Sequence, residues 1–307
     1  MSPFAAPDVL VLAGGGVLGE AWMTGVLAGI EDAAGLDLRR TEAFVGTSAG
    51  SIVAASLAAG RSPRRPAEGA PDVAPSDGAS DEHGRGFALR QALRSAGAVA
   101  WAGTAPAASA ALAVGAPAGA LVRAAALARM PSGERSLADL GARVTSWGTR
   151  FDGRLRVCAV DRRSGRRVVF GAPGAPAATV PEAVVASCSI PWVFEPVSIG
   201  GRDYVDGGMW SVTNLDAAPA GRDTQVLCLD VISGLDLGTR GMMAMRRLFR
   251  VAAELETQIL RRRGARVRRI GPDAGAAEAI GTDVMNPGPR DEVLAAGFRQ
   301  GRALANA

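Results

Sequence analysis

Two short, wholly apolar runs, each ending in a glycine-rich turn that opens a helical pattern, constrain this chain more than any other feature. Val9-Leu10-Val11-Leu12 leads into Gly14-Gly15-Gly16-Val17-Leu18-Gly19, after which Trp22, Val26 and Ile30 recur every four residues along one helical face. Ala43-Phe44-Val45 leads into Gly46-Thr47-Ser48-Ala49-Gly50, followed by Ile52, Val53 and Leu57 among small residues. Strands without polar alternation are covered on both faces, and strand–turn–helix units in series build a parallel sheet between helices. The expected fold class is α/β: a three-layer α/β/α sandwich with a mostly parallel central sheet.

Later segments extend the pattern. Leu155–Val160 and Arg167–Phe170 read as paired strands around Arg163-Ser164-Gly165, and residues 181–189 as a short helix ahead of Pro191. Tyr204-Val205 reads as a strand entering Asp206-Gly207-Gly208, and Gln225–Ile232 as another covered strand. Met242, Met245, Phe249, Ala252, Leu255 and Ile259 form the core stripe of a helix, and residues 290–304 a closing amphipathic helix. Composition shifts at Arg61. Residues 61–86 are rich in Pro, Gly, Ser, Asp and Arg, and residues 87–130 in Ala. Residues 61–130 are therefore expected to be an Ala/Gly/Pro-rich, partly disordered insertion that adds nothing to the sheet, inside one domain spanning 1–307. The uncharged run 95–122 has the length of a bilayer span, but Pro106, Pro117 and its Ala/Gly content argue against one.

Charge excludes little. All 34 basic residues are arginine, against 30 acidic ones, for a net +4. That excess does not mark a nucleic-acid binder, and it is compatible with peripheral contact to an anionic membrane. Arg261-Arg262-Arg263, Arg266, Arg268 and Arg269 read as a solvated helix end or as such a contact. Cys158, Cys188 and Cys228 are widely spaced and odd in number, as expected of reduced, buried thiols. No His/Cys/Asp cluster has metal-ligand spacing, and no metal or other cofactor is expected. No basic residue precedes Arg39, so a secretory signal is not expected and a cytoplasmic location is.

Gly14–Gly19 fits the dinucleotide fingerprint, but a dinucleotide domain ends its second strand in an acid. Here that strand ends in Gly46-Thr47-Ser48-Ala49-Gly50, a G-x-S-x-G turn between strand and helix. Such a turn strains the serine backbone, needs small neighbours in Gly46 and Gly50, and exposes Oγ near the positive end of a helix. A serine nucleophile needs a base. The one histidine, His83, lies in Asp81-Glu82-His83-Gly84-Arg85 within the insertion and precedes every downstream acid, contrary to hydrolase order. A carboxylate acting directly is the alternative. Asp206 is the candidate, because Gly207 and Gly208 let another group approach it; Asp161, Asp203, Asp216 and Asp230 lack this flanking. Gly14, Gly15 and Gly16 then supply backbone N–H donors for an oxyanion, and Gly19 permits close helix packing.

Three blocks, GGGVLG, GTSAG and ASCSIPWVFEPVSIGGRDYVDGG, occur in the order found in the patatin-like phospholipase family, which the chain resembles over roughly 8–60 and 150–306. The resemblance implies a sandwiched α/β sheet carrying a Ser–Asp dyad, with Ser48 as nucleophile, Asp206 as base, and Gly14–Gly16 as the oxyanion loop. It implies a lipid acyl hydrolase acting on carboxylic esters of phospholipids or neutral lipids. An acyltransferase or thioesterase on the same dyad, and a non-catalytic lipid-binding relative, are the other readings. The family often carries Arg or Lys where this chain has Leu18, which tilts the expectation from phospholipids toward neutral esters or thioesters. The insertion, with Trp101, Leu112, Val114, Leu121 and Val122, reads either as a lid over an acyl groove or as a low-complexity connector.

Overall fold

The computed structural model describes residues 4–67, 116–235 and 240–307. Its centre is an eight-stranded sheet. β1 (Val9–Leu12), β2 (Ala43–Thr47), β7 (Gln225–Leu229) and β8 (Arg266–Ile270) run parallel, with β1 between β2 and β7, and β8 beyond β7. β3 (Leu155–Asp161) continues the parallel set beside β2, and β4 (Arg167–Phe170) folds back on it as a hairpin. β6 (Arg202–Asp206) is antiparallel to β3 and carries β5 (Val197–Ile199) on its outer side.

The register on β3 decides which strand ends meet. Val157 and Cys158 pair with both β4 and β2, whereas Ala159 and Val160 pair with both β4 and β6. A strand has only two edges, so β4 occupies one and β2 and β6 share the other. β2 ends at Thr47 opposite Cys158, and β6, running the other way, ends at Asp206 opposite Ala159. The C-terminal ends of the two strands therefore meet head to head on adjacent residues of β3.

Apolar packing occupies both faces of this sheet, which makes three layers. Leu10, Leu12, Phe44 and Leu227 point to the side covered by α1 (Gly16–Ala34), α2 (Ala49–Ala58) and α5 (Val180–Cys188). Val9, Val11, Val45, Cys158 and Cys228 point to the side covered by Leu215, Ala217 and the end of α7 (Arg240–Arg262). α4 (Ala138–Thr145) packs beside α5, and α8 (Ala274–Ile280) beside α9 (Arg290–Asn306). α1 is buried nearly all round because α9 packs directly on its backbone. A Cβ on Gly29 would stand 2.2 Å from the Phe298 carbonyl oxygen, and one on Gly301 would stand 2.1 Å from that of Val26. Contact this close leaves no room for side chains between the helices.

The expected helices over 181–189 and 290–304 are present as Val180–Cys188 and Arg290–Asn306. The face of α7 differs from the expected stripe. Ala252, Ala253, Glu256, Thr257 and Leu260 are buried while Ile259 is exposed; the side chains of Met242 and Met245 lie outside the described residues. The helix is turned because Glu256 accepts hydrogen bonds from Thr213 Oγ1 and the Leu215 N–H.

Most of the segment expected as an insertion, 68–115, lies outside the described residues, as do His83, Trp101, Leu112 and Val114. Its C-terminal end is α3 (Ala116–Arg129), which packs Leu127 against Val160, Val205 and Met209. The buried Arg123 donates to the carbonyls of Met209 and Gly165 and stacks on Trp210 at 4.2 Å. Leu121 and Val122 are exposed on the outer side of this helix. No described helix is long and apolar enough to cross a membrane.

Candidate active site

The turn after β2 holds a non-glycine residue in strained backbone. Ser48 adopts φ 50° and ψ −123°, a region that non-glycine residues occupy only when the surroundings force them. Glycines on either side do the forcing. A Cβ on Gly46 would stand 2.4 Å from Ser51 Cα, and one on Gly50 would stand 2.0 Å from the Leu12 carbonyl oxygen. The elbow thus folds onto its own helix and onto β1. The Ser51 N–H and Oγ both donate to the Ser48 carbonyl, at 2.8 and 2.6 Å, which pins the turn. Ser48 remains partly exposed at the N-terminus of α2, where the helix dipole favours negative charge.

Asp206 approaches from the end of β6. It is only 5% exposed. Its Oδ1 accepts from the Gly208 N–H at 2.6 Å and its own N–H donates to the Ser189 carbonyl. Burial pushes its pKa up to about 7, against the lowering effects of the Gly208 and Ser48 hydrogen bonds. A carboxyl poised near neutrality beside a serine hydroxyl suits proton abstraction at physiological pH. Gly207 is required by space: a Cβ there would lie 2.2 Å from the Cys158 carbonyl oxygen.

The other acids are engaged elsewhere. Asp161 caps the β3–β4 turn and pairs with Arg202. Asp216 holds Arg167 through two hydrogen bonds. Asp230 caps the short helix α6 (Val231–Gly234) beside Arg269. Asp203 is exposed on the outer hairpin, where it lies opposite Ser198 in the register.

The glycine loop after β1 lies next to the elbow. A Cβ on Gly14 would come within 3.6 Å of Ser48 Cβ. The expectation that all three glycines offer donors needs correction at Gly14, whose N–H already donates to the Val212 carbonyl at 2.9 Å. The N–H groups of Gly15 and Gly16 meet no acceptor among the described residues. Gly16 sits at φ +66°, which turns the chain so that α1 starts there with the Gly16 N–H open. Gly19 lets α1 pack on Val231, whose Cγ2 would lie 3.2 Å from a Cβ at that position. Leu18 does not face the mouth of the site. It is fully buried in the core, and its N–H donates to the Val284 carbonyl. The identity of this residue therefore bears on how the loop is anchored rather than on what a ligand meets.

Ser187 is part of the site although sequence reasoning gives it no role. Its Oγ accepts from the Ser48 N–H at 2.8 Å and donates to the Cys158 carbonyl at 2.7 Å. It thereby ties the turn after β2 to β3, from the α5 side, where the C-terminal ends of β2 and β6 meet. The signal is present in the Ala-Ser-x-x-Ile-Pro block, but the partner atoms are set by tertiary register alone.

The arginine-rich end of α7 lies away from this site. Arg261, Arg262 and Arg263 immediately precede β8, at the starting ends of the parallel strands, whereas Gly14–Gly16 and Ser48 follow the finishing ends of β1 and β2. No group of His, Cys, Asp and Glu suited to a metal occurs among the described residues.

A family model described as patatin-like phospholipase matches residues 10–219 of the chain. No curated protein matches it. Among solved structures, VipD from Legionella pneumophila is similar, with a TM-score of 0.44 and 14% identity over 99% of this chain and 67% of that one.

Proposed function

Since the chain belongs to the patatin-like phospholipase family, we propose that it hydrolyses carboxylic esters of phospholipids or neutral lipids with Ser48 as nucleophile and Asp206 as its base. The observation that carries this reading is the head-to-head meeting of β2 and β6, which puts a strained, partly exposed serine against a buried carboxyl.

In this mechanism Asp206 takes the Ser48 hydroxyl proton as Oγ attacks the acyl carbonyl carbon. The carbonyl π electrons move onto oxygen, and the open N–H groups of Gly15 and Gly16 receive the resulting oxyanion. Collapse breaks the ester C–O bond. The alcohol departs with the proton returned by Asp206 and leaves an acyl-serine. Water then attacks the acyl carbon as Asp206 removes its proton, the Ser48–acyl bond breaks, and the proton passes to Ser48 Oγ. The fatty acid leaves and the starting state is restored. The cycle uses one carboxyl as both base and acid, and a pKa near 7 keeps both transfers close to balanced. A lipid surface delivering substrate meets the finishing ends of the strands, not the arginine cluster at their starting ends.

The test is fatty-acid release from phosphatidylcholine vesicles and from triacylglycerol emulsions by wild type and Ser48→Ala. Release that disappears in the variant supports the reading, and the preferred lipid names the substrate class. Release of equal size from both proteins overturns it.

A further inference from the structure

We infer that Asn214 is a positioning residue that clamps the nucleophile strand to the acid strand and so sets the Ser48–Asp206 geometry. This rests on the dyad assigned above. The two strands meet head to head, so no ladder hydrogen bond joins β2 to β6 across the gap. On one face of the sheet Ser187 ties the Ser48 N–H to the Cys158 carbonyl of β3 and does not reach β6. On the other face the bridge is the Asn214 amide. The two N–H bonds of its Nδ2 are shared among Thr47 Oγ1 at 3.1 Å, the Gly207 carbonyl at 3.2 Å and the Ser211 carbonyl at 2.5 Å. Thr47 directly precedes the nucleophile and Gly207 directly follows the acid. One amide group therefore touches the neighbours of both reacting side chains.

Several features show that the side chain is committed to this bridge. Asn214 is fully buried and sits in left-handed backbone, φ 46° and ψ 35°, which asparagine tolerates better than other non-glycine residues. It stands at the start of the short 3-10 turn Leu215–Ala217, where an asparagine ordinarily caps its own turn, yet it makes no such bond. Its orientation is fixed from behind. Oδ1 accepts from Arg167 at 3.2 Å, and Arg167 is held by Asp216 through bonds of 2.5 and 2.8 Å. A guanidinium has donors only, so a flipped amide would set its NH₂ against the Arg167 donors and leave the Gly207 and Ser211 carbonyls facing an oxygen.

The test uses Asn214→Gly, which keeps the left-handed backbone and removes the amide, and Thr47→Val, which leaves Asn214 in place and removes one acceptor. Three quantities are read: the labelling rate at saturating fluorophosphonate, the probe concentration for half-maximal rate, and the pH midpoint of labelling. Displacing a reacting group by about 1 Å costs roughly 100-fold in rate. The expected result for Asn214→Gly is a fall of about 10- to 100-fold in saturating rate per labelled site, with the half-maximal concentration unchanged. The pH midpoint should move upward, because the Ser48 contact that lowers the Asp206 pKa is loosened. Thr47→Val should move rate and midpoint the same way by less. A residue that merely stabilised the fold would lower the melting temperature and leave the rate per site and the midpoint alone. That result overturns the inference, as does a wild-type rate in Thr47→Val should Asn214→Gly fail to fold. Labelling that persists in Ser48→Ala sinks the dyad itself, whereas loss in Ser48→Ala with wild-type rates in both clamp variants sinks only the clamp.

Discussion

Replacing Asp206 with asparagine should abolish turnover and stabilise the protein, and the stabilisation should depend on pH in a calculable way. The carboxyl is 5% exposed, and burial raises its pKa from 3.8 to about 7. Because the folded value lies above the unfolded one, the folded state holds the proton more tightly. The associated stability is complete below about pH 4, fades as pH rises and is gone above about pH 7. The full span is about 3 pK units at 1.36 kcal/mol each, or about 4 kcal/mol. Between pH 5 and pH 8 the same two values give a loss of about 2–3 kcal/mol. Asparagine carries no charge at either pH, and its Oδ1 can still accept from the Gly208 N–H. The stability of Asp206→Asn minus that of wild type should therefore grow by about 2–3 kcal/mol from pH 5 to pH 8. Taking the difference cancels other titrating groups, including the buried Glu256. Urea unfolding of both proteins at the two pH values measures it. A difference that stays flat would mean that Asp206 ionises as an ordinary surface carboxylate, and the case for a buried base tuned to neutrality would collapse.

The same geometry makes three more outcomes testable. Ser48→Gly should gain about 1–2 kcal/mol by releasing the strained backbone, whereas Ser48→Ala should gain little; equal urea midpoints for the two variants would argue against strain at the elbow. Gly50→Ala should not accumulate as soluble protein, because its Cβ would lie 2.0 Å from the Leu12 carbonyl oxygen, and a soluble, active variant would contradict the packing. Iodoacetamide at pH 8 should leave native Cys158, Cys188 and Cys228 unmodified by mass spectrometry. All three are buried, and burial pushes the Cys158 thiol up to about 12 and the other two upward as well.

The parts of the site that local chemistry fixes are legible in the residues themselves. Gly46-x-Ser48-x-Gly50 between strand and helix is a local solution to a local steric problem, and Asp206 is marked by the two glycines after it. The shortage of histidine points to a carboxylate base for the same reason. The features that escape a reading of the sequence are set by register. Nothing in the residues around 43–47 and 202–206 says that the two strands share one edge of β3, so the roles of Ser187 and Asn214 stay hidden. The Gly14 N–H is spent on Val212, which lies far along the chain. The motif leaves open whether position 18 holds the loop or meets a ligand, and only the packed fold shows Leu18 buried in the core. In α7 a hydrophobic stripe alone would set the buried face, and the hydrogen bonds of Glu256 outweigh it. A break in composition marks the insertion, yet α3 at its end is tied to the acid loop by Arg123, so cutting out 65–125 would remove a structural contact.

The most direct measurement is to treat the protein with a fluorophosphonate and locate the adduct by peptide mass spectrometry, comparing wild type with Asp206→Asn and His83→Ala. A Ser48–Asp206 dyad predicts a phosphonylated Ser48, formed far more slowly in Asp206→Asn and at the wild-type rate in His83→Ala. An adduct on another residue, or labelling that depends on His83 and not on Asp206, would contradict it.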